Sequence, residues 1–483
     1  MRQAFHILKK DVLYARVEIC AVLALAGLYA WTSTEMKVYI VAELLLDIGA
    51  VYLIAKLIHA EKIPGDRQFW LTRPYRRSSL LAAKLLGILL LVNVPIFVAR
   101  LYVLLYEGFA TGAVLGPLLW SHFLLFVAVM LPMSAVASAT AGLVPFTFSI
   151  LALVAAALVT VVRIRPPWDL AVRLSLAGSQ WMWETIAVVA LIALALPVLY
   201  LQYRARRTWM SRIVIAVVGV CAIFSYLYLP WTTAAAIQTA ITPRRLAAEA
   251  LKVTFEPAAR YFYTRGMLNR GDYQVDVPLK IDGVPRDVEL IPDGISFRFE
   301  AADGTAWESG PYVYPALGKR MPGPGPAILN ANVDLPPGFY SRAKGRSLKV
   351  TADVYVSLFG QPLSKTIAIQ GAGVNAVDGL LCRTGPFRQL LCMAPFGWPS
   401  RIVYAQFPSG GKLPFTRFIS YSPFPSGLAF DEVASRSVSY PEGERQVTII
   451  SNQPLGSFKL RFAAENFPLA DFSIPIRRSS RKE

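Results

Sequence analysis

The sequence predicts an α-helical polytopic membrane half followed by an all-β, sandwich-like half. Seven apolar stretches long enough to cross a bilayer lie within residues 1–231, and residues 232–483 contain none. From about residue 245 apolar and polar side chains alternate with a period of two, which is typical of strands. In lipid a chain must satisfy its own backbone hydrogen bonds, so the long apolar stretches indicate helices.

Charge predicts how these helices are oriented, because Lys and Arg mark cytoplasmic loops. Three basic segments precede the first predicted span, follow the second and follow the sixth, which predicts a cytoplasmic N-terminus and an extracytoplasmic C-terminal half. One loop does not fit this pattern, because its Arg163, Arg165 and Arg173 fall on the predicted outer side. The predicted spans are 17–33, 38–58, 80–106, 115–138, 143–162, 184–203 and 213–231.

The chain divides into five predicted segments. An amphipathic interfacial helix precedes a six-span membrane domain, a seventh transmembrane helix, an extracytoplasmic β-sandwich region of one or two subdomains, and a basic tail. Their bounds are 1–16, 17–212, 213–231, 232–476 and 477–483. A cleaved secretory signal ending near Gly27 is the competing interpretation of the start. The charged residues Asp11 and Glu18, and an apolar helical stripe of Phe5, Leu8, Val12 and Ala15, favour the uncleaved helix.

Three charged residues fall inside predicted spans, where charges are costly and face the bundle interior or water. Glu43 and Asp47 are four residues apart on the second span, hence on one face. Glu43 and Arg100 of the third span lie at similar predicted depths, which makes them candidate partners. Asp47 falls near the midplane with no basic residue at the same depth, so it is either a neutral structural acid or part of a polar translocation surface.

The cytoplasmic loop between the second and third spans combines aromatic and basic residues. Phe69 and Trp70 offer apolar anchors of the kind that concentrate binding energy. Arg73, Arg76 and Arg77 can pair with carboxylates. The alternative is a basic loop whose aromatic side chains rest among lipid headgroups.

This loop and the order of elements around it resemble the ABC-2-type exporter permeases, in particular a group of uncharacterised bacterial permease-like proteins. The resemblance covers roughly residues 1–212 and is most specific over Asp66–Lys84. It implies that the loop is the coupling helix, which docks onto a separate cytoplasmic ATPase. The residues predicted to make this contact are Phe69, Trp70, Arg73, Arg76 and Arg77. It also implies a homodimer or heterodimer of permeases, and a re-entrant helical pair over Arg163–Trp183.

The chain departs from that family in two ways, a seventh span and 252 residues after residue 231. The substrate of the family is therefore not transferable. A phosphate loop ends in Gly-Lys-Ser/Thr, whereas Gly410-Gly411-Lys412 continues with Leu413. ATP hydrolysis would therefore belong to a separate subunit.

Cysteines in the outer half predict a disulfide. Cys382 and Cys392 are ten residues apart at hairpin spacing, in the compartment predicted to be oxidising. The chain has only three histidines, all in the membrane half, and no pattern of catalytic, cofactor-binding or metal-ligating residues is found. The charge of the outer half is scattered, and no nucleic-acid-binding motif is present.

Two functions from different classes are consistent with these patterns. The first is a non-enzymatic transport subunit in the inner membrane, in contact with lipids, that exports an unknown substrate with a separate ATPase. The alternative is a membrane-anchored envelope binding or scaffold protein whose β-domain carries the function. Seven spans are more than an anchor requires, since a single span anchors a domain.

Overall fold

The structure of the protein is a computed structural model with a helical half and a separate half rich in β-sheet. It describes residues 2–32, 36–61, 76–106, 108–109, 111–159, 180–228, 233, 236–237, 239–240, 251–259, 273–285, 287–309, 315–317, 327–369, 374–377, 380–385, 389–395, 402–409, 412–414 and 433–475.

The described part of the helical half is built from apolar helices. These helices are α1 (Arg2–Tyr14), α2 (Arg16–Thr32), α3 (Met36–His59), α4 (Arg77–Ile88), α5 (Val94–Tyr106), α6 (Thr111–Leu125), α7 (Leu131–Ala139), α8 (Leu143–Val159), α9 (Gln180–Tyr200) and α10 (Thr208–Tyr228). Their shared core contains Leu53, Ile54, Ile88 and Val92, all almost fully buried.

Three helical stretches of the described chain are long and apolar enough to cross a membrane. They are Arg77–Tyr106, Val114–Ala139 and Val188–Ala205. Each contains a π-helical turn, respectively at Leu89–Asn93, Phe126–Met130 and Leu201–Ala205. The first stretch has 30 residues, or about 45 Å at 1.5 Å per residue. The chain is therefore membrane-associated through its first half.

α1 and α2 meet at Ala15 with a bend of 78° and form a fourth span if they are counted together. α1 packs on α4 through Ala4, Ile7, Leu8 and Asp11, which share one helical face. A Cβ atom at Gly87 of α4 would lie only 3.3 Å from Leu8 Cδ1, so the two helices approach closely there. Of the predicted apolar stripe, Leu8 and Ala15 are buried and Phe5 is 58% exposed, and Ala4 and Ile7 lie on the core-facing side of α1.

The described residues of the second half form three antiparallel sheets. The strands are β1 (Lys252–Phe255), β2 (Tyr273–Asp282), β3 (Glu289–Ala301), β4 (Ala306–Glu308), β5 (Pro315–Leu317), β6 (Ala327–Leu335), β7 (Ser347–Ala368), β8 (Val374–Asn375), β9 (Leu381–Gly385), β10 (Gln389–Pro395), β11 (Ile402–Gln406), β12 (Lys412–Pro414), β13 (Val433–Ser439), β14 (Gln446–Pro468) and β15 (Ser473–Pro475). A short helix, α11 (Pro337–Ala343), precedes β7.

The sheets pack around two hydrophobic cores that share two long strands. The first sheet has the order β1-β2-β6-β5, with β15 also on β2; the second has the order β12-β11-β14-β7-β3-β4; and the third has the order β13-β10-β9-β8. The larger core lies between the first two sheets and includes Val277, Phe297 and Val354. The smaller core joins the third sheet to the far ends of β7 and β14 through Leu390 and Ile449.

The third sheet contacts the helical half at one end of the longest apolar stretch. Leu381 and Leu391 of the β9–β10 pair pack with Leu104, Phe109 and Leu118 around the turn between α5 and α6. This turn and residue 77 lie at opposite ends of the stretch Arg77–Tyr106. The β-sheet half therefore lies on the side of the bundle opposite the start of α4.

Candidate functional site

The segment that the sequence assigns to ATPase coupling runs between α3 and α4. Phe69, Trp70 and Arg73 lie in residues 62–75, outside the described residues. Arg76 and Arg77 are described and exposed at the start of α4. Nη1 of Arg77 donates a hydrogen bond of 2.6 Å to the carbonyl oxygen of Arg204. Arg77 is thus held against the end of α9.

Four charged residues that the sequence analysis did not select form a compact group beside this segment, called here the ionic cluster: Lys10, Asp11, Glu61 and Lys84. Lys84 Nζ lies 2.8 Å from Asp11 Oδ2 and 2.6 Å from Glu61 Oε2. Lys10 Nζ lies 3.1 Å from the other oxygen of Glu61. The side chains of Asp11, Glu61 and Lys84 are at most 5% exposed.

The ionic cluster balances two positive and two negative charges, of which Asp11, Glu61 and Lys84 are buried and Lys10 is 43% exposed. Burial disfavours the charged form of Glu61, but Lys84 and Lys10 outweigh burial and hold its pKa below its usual value. Removing one partner from such a buried group costs about 3–5 kcal/mol, since the others remain charged and buried. The cluster therefore fixes the relative positions of α1, the end of α3 and α4.

A π-helical turn at the end of α9 completes the surroundings of the ionic cluster. Tyr203 of that turn is buried, and the charges of Glu61 and Asp11 act on it. Its hydroxyl has no hydrogen-bond partner among the described residues. The neighbouring Gln202 is fully buried and accepts a hydrogen bond from Thr208 at 3.5 Å. The end of α9 thus contributes buried polar groups at this end of the bundle, as α1, α3 and α4 do.

A second ion pair ties α2 to α3 on the same side of the bundle. Lys56 of α3 pairs with Glu18 of α2, and its ammonium lies 5.1 Å from the ring centroid of Tyr14. All three described carboxylates at this end, Asp11, Glu18 and Glu61, are therefore ion-paired.

The three predicted intramembrane charges come together in the structure. Arg100 Nη2 lies 4.0 Å from Glu43 Oε1, and the side chain of Arg100 is 5% exposed. Arg100 also acts electrostatically on Asp47. Asp47 is exposed on the outside of the described bundle.

A polar contact between two spans was missed by sequence reasoning. His122 Nδ1 lies 2.6 Å from Asn93 Oδ1, and the amide of Asn93 donates to the carbonyl oxygen of His122 at 3.4 Å. Both side chains are buried. Phe97 packs edge-on against the imidazole, with ring centroids 5.2 Å apart. The signal was present in the sequence as an Asn and a His within otherwise apolar spans, where polar side chains seek partners on neighbouring helices.

Cys382 and Cys392 lie directly opposite each other on β9 and β10, with Cα atoms 4.1 Å apart, and their sulfurs are bonded. They belong to the smaller core, and their neighbours Leu381 and Leu391 contact the α5–α6 turn. Within the described residues no group of three or more His, Cys, Asp or Glu side chains is arranged to hold a metal ion.

The geometry thus contains two charged regions at different levels of the bundle. The ionic cluster lies at the end where Glu61 and Arg76 border segment 62–75, and Glu43, Asp47 and Arg100 lie further along α3 and α5. Comparison of the chain with protein-family models, with curated proteins and with solved structures finds no match.

Proposed function

We propose that this chain is the permease subunit of an ABC-type exporter, driven by a separate cytoplasmic ATPase. In this proposal α2, α3, α8 and α10 join the three long apolar stretches to give seven spans. The N-terminus and segment 62–75 face the cytoplasm, and the β-sheet half lies outside the cytoplasmic membrane. Two copies of the chain, or this chain and a second permease, form the membrane unit.

The observation that carries this proposal is the way both ends of segment 62–75 are fixed. At one end Glu61 is bound by Lys84 and Lys10 within the ionic cluster. At the other end Arg77 bonds to the backbone at the end of α9. A force applied to the segment by a bound ATPase would therefore reach α1, α4 and α9 together, which is what a coupling element requires.

The contact between β9–β10 and the α5–α6 turn supports a role for the outer half in the same cycle. Leu104, at the outer end of the stretch that begins with Arg77, packs on Leu381. The continuous helical stretch Arg77–Tyr106 connects the end of segment 62–75 to the contact with β9–β10. A tilt of that stretch would therefore move the β-sheet half. We propose that this half binds the cargo or an envelope partner.

Partner capture tests this proposal. Purification of the chain from membranes that also contain the ATPase encoded beside it should recover that ATPase. Trp70→Ala should weaken its binding by about 2 kcal/mol or more if Trp70 is a central anchor. Phe5→Ala is the control, because Phe5 is an aromatic side chain of α1 that is 58% exposed at the same end of the bundle. Equal recovery with both variants would favour the anchored-scaffold function.

A further inference from the structure

Four arginines meet where α4 begins and α9 ends, and they are called here the arginine cluster: Arg77, Arg204, Arg206 and Arg207. Arg77 contacts the backbone of Arg204 directly. Partial burial and the positive charge of Arg77 both lower the pKa of Arg206. Like charges are therefore held close enough to repel one another, which an anion between them would relieve.

The backbone holds this arrangement in place. Arg206 has a φ of 56°, in the left-handed region that non-glycine residues rarely adopt. The amide of Arg207 closes the turn by donating to the carbonyl oxygen of Leu201 at 3.0 Å. The three positions 204, 206 and 207 are thus presented by a fixed turn rather than by an extended loop.

No described carboxylate neutralises the exposed members of the cluster. The three acids at this end of the bundle are paired with Lys10, Lys56 and Lys84. Within the described chain Arg77, Arg204 and Arg207 form no ion pair, and all three are exposed. The surface presented by this end of α4 and α9 is therefore cationic.

Apolar side chains next to the cluster indicate the kind of anion. Tyr200, Trp209 and Ile213 are 57%, 72% and 42% exposed on α9 and α10. The guanidinium carbon of Arg204 lies 5.9 Å from the ring centroid of Tyr200. Cations next to exposed apolar and aromatic side chains at the end of a membrane helix match a lipid, whose phosphate and acyl chains are adjacent.

We propose that the arginine cluster binds the headgroup of an anionic phospholipid, with the acyl chains along the exposed faces of α9 and α10. The phosphate lies between the guanidinium groups of Arg77, Arg204 and Arg207. The site shares Arg77 with the predicted ATPase contact, whose other members Phe69, Trp70, Arg73 and Arg76 are not part of it.

The test uses the full chain in neutral detergent micelles, titrated with phosphatidylglycerol or phosphatidylcholine while bound lipid is counted by native mass spectrometry. The variant carries Arg204→Gln and Arg207→Gln, which leave the backbone acceptor of Arg77 intact. The control carries Lys9→Gln and Arg16→Gln, two exposed cations at the same end of the bundle. Both variants remove two positive charges. Thermal unfolding in phosphatidylcholine nanodiscs verifies that each variant folds.

We expect the wild type to bind phosphatidylglycerol in preference to phosphatidylcholine. The cluster variant should bind phosphatidylglycerol roughly 25-fold more weakly, at about fivefold for each arginine removed, and the control should bind as the wild type does. Equal weakening in both variants would show that lipid is attracted to the whole basic surface and would overturn the site. Full competition by millimolar inorganic phosphate would assign the site to a free anion instead. Unchanged phosphatidylglycerol binding by the cluster variant would also overturn the proposal.

Discussion

Lys84 Nζ lies 2.6 Å from Glu61 Oε2. Glu61 is the last described residue after α3 and Lys84 lies within α4, so the contact joins the two sides of the fourteen-residue segment 62–75. Lys84 also binds Asp11 of α1 at 2.8 Å. One ammonium group therefore connects three helices at the end of the bundle where we propose that the ATPase binds.

Replacing that ammonium should be among the most destabilising single changes in the helical half. Lys84→Met keeps an unbranched side chain but leaves Asp11 and Glu61 buried beside one another with only Lys10 as a counter-charge. We expect a loss of about 3–5 kcal/mol in the free energy of unfolding, measured by denaturant unfolding in detergent. Lys349→Met is the control, since its pair with Glu465 is exposed and should matter little. Similar midpoints for the two variants would contradict a structural role for the cluster.

The contact between Asn93 and His122 should be weaker than the ionic cluster because it involves neutral groups. Asn93→Leu removes the partner of His122 Nδ1 and leaves the imidazole buried. Hydrogen bonds between membrane helices contribute on average about 0.6 kcal/mol and rarely more than about 1.7, so we expect a cost of about 1–2 kcal/mol with the same unfolding measurement. A cost equal to that of Lys84→Met would mean that the imidazole carries a charge.

The disulfide should stabilise the outer half and its contact with the spans. Non-reducing peptide mapping of freshly prepared membranes should recover Cys382 linked to Cys392. Replacing both by Ala should lower the stability of the β-sheet half by about 2–3 kcal/mol, as expected for a short closed loop. Limited proteolysis should then cut β9–β10 more readily, with Cys20→Ala/Cys221→Ala as the control. Free thiols at both positions in the untreated membrane protein would contradict the prediction of an oxidising compartment.

The β-sheet half lies opposite the start of α4, so we expect the two to face opposite sides of the membrane. Reporter fusions after Arg207 should be active in the cytoplasm, and fusions after Trp231 should be active outside it. The physical reason is the positive charge of the loops at the α4 and α9 ends. The reverse pattern of reporter activity would place segment 62–75 outside and leave it out of reach of any ATPase.

The sequence predicted a helical half followed by a β-sheet half. It could do so because the length of apolar stretches and the alternation of apolar and polar residues are local properties of the chain. They also selected Glu43 and Arg100 as partners from depth alone, and the structure brings them within 4.0 Å. The ionic cluster was missed because Lys10 was counted among orienting loop charges, and Asp11 served only as an argument against a signal peptide. Their proximity to Lys84 depends on the 78° bend after α1, which no local pattern specifies.

The organisation of the β-sheet half was equally hard to foresee from sequence. β7 has 22 residues and β14 has 23, and each begins in one hydrophobic core and ends in the other. Alternation breaks near Gly360–Pro362 of β7 and Ser451–Pro454 of β14, but such a local break does not show which sheet covers the strand beyond it. Only the pairing of distant strands reveals the two cores.

The central claim is that segment 62–75 transmits ATP-driven force to the spans, and ATP turnover measures this most directly. The chain and the ATPase encoded beside it would be reconstituted together in proteoliposomes, with wild type, Trp70→Ala and Phe5→Ala compared at equal protein. We expect the wild type and Phe5→Ala to stimulate ATP hydrolysis equally. Trp70→Ala should require roughly 30-fold more ATPase for half-maximal stimulation, as about 2 kcal/mol of lost binding implies. Stimulation that is absent with the wild type, or identical for all three chains, would contradict the account.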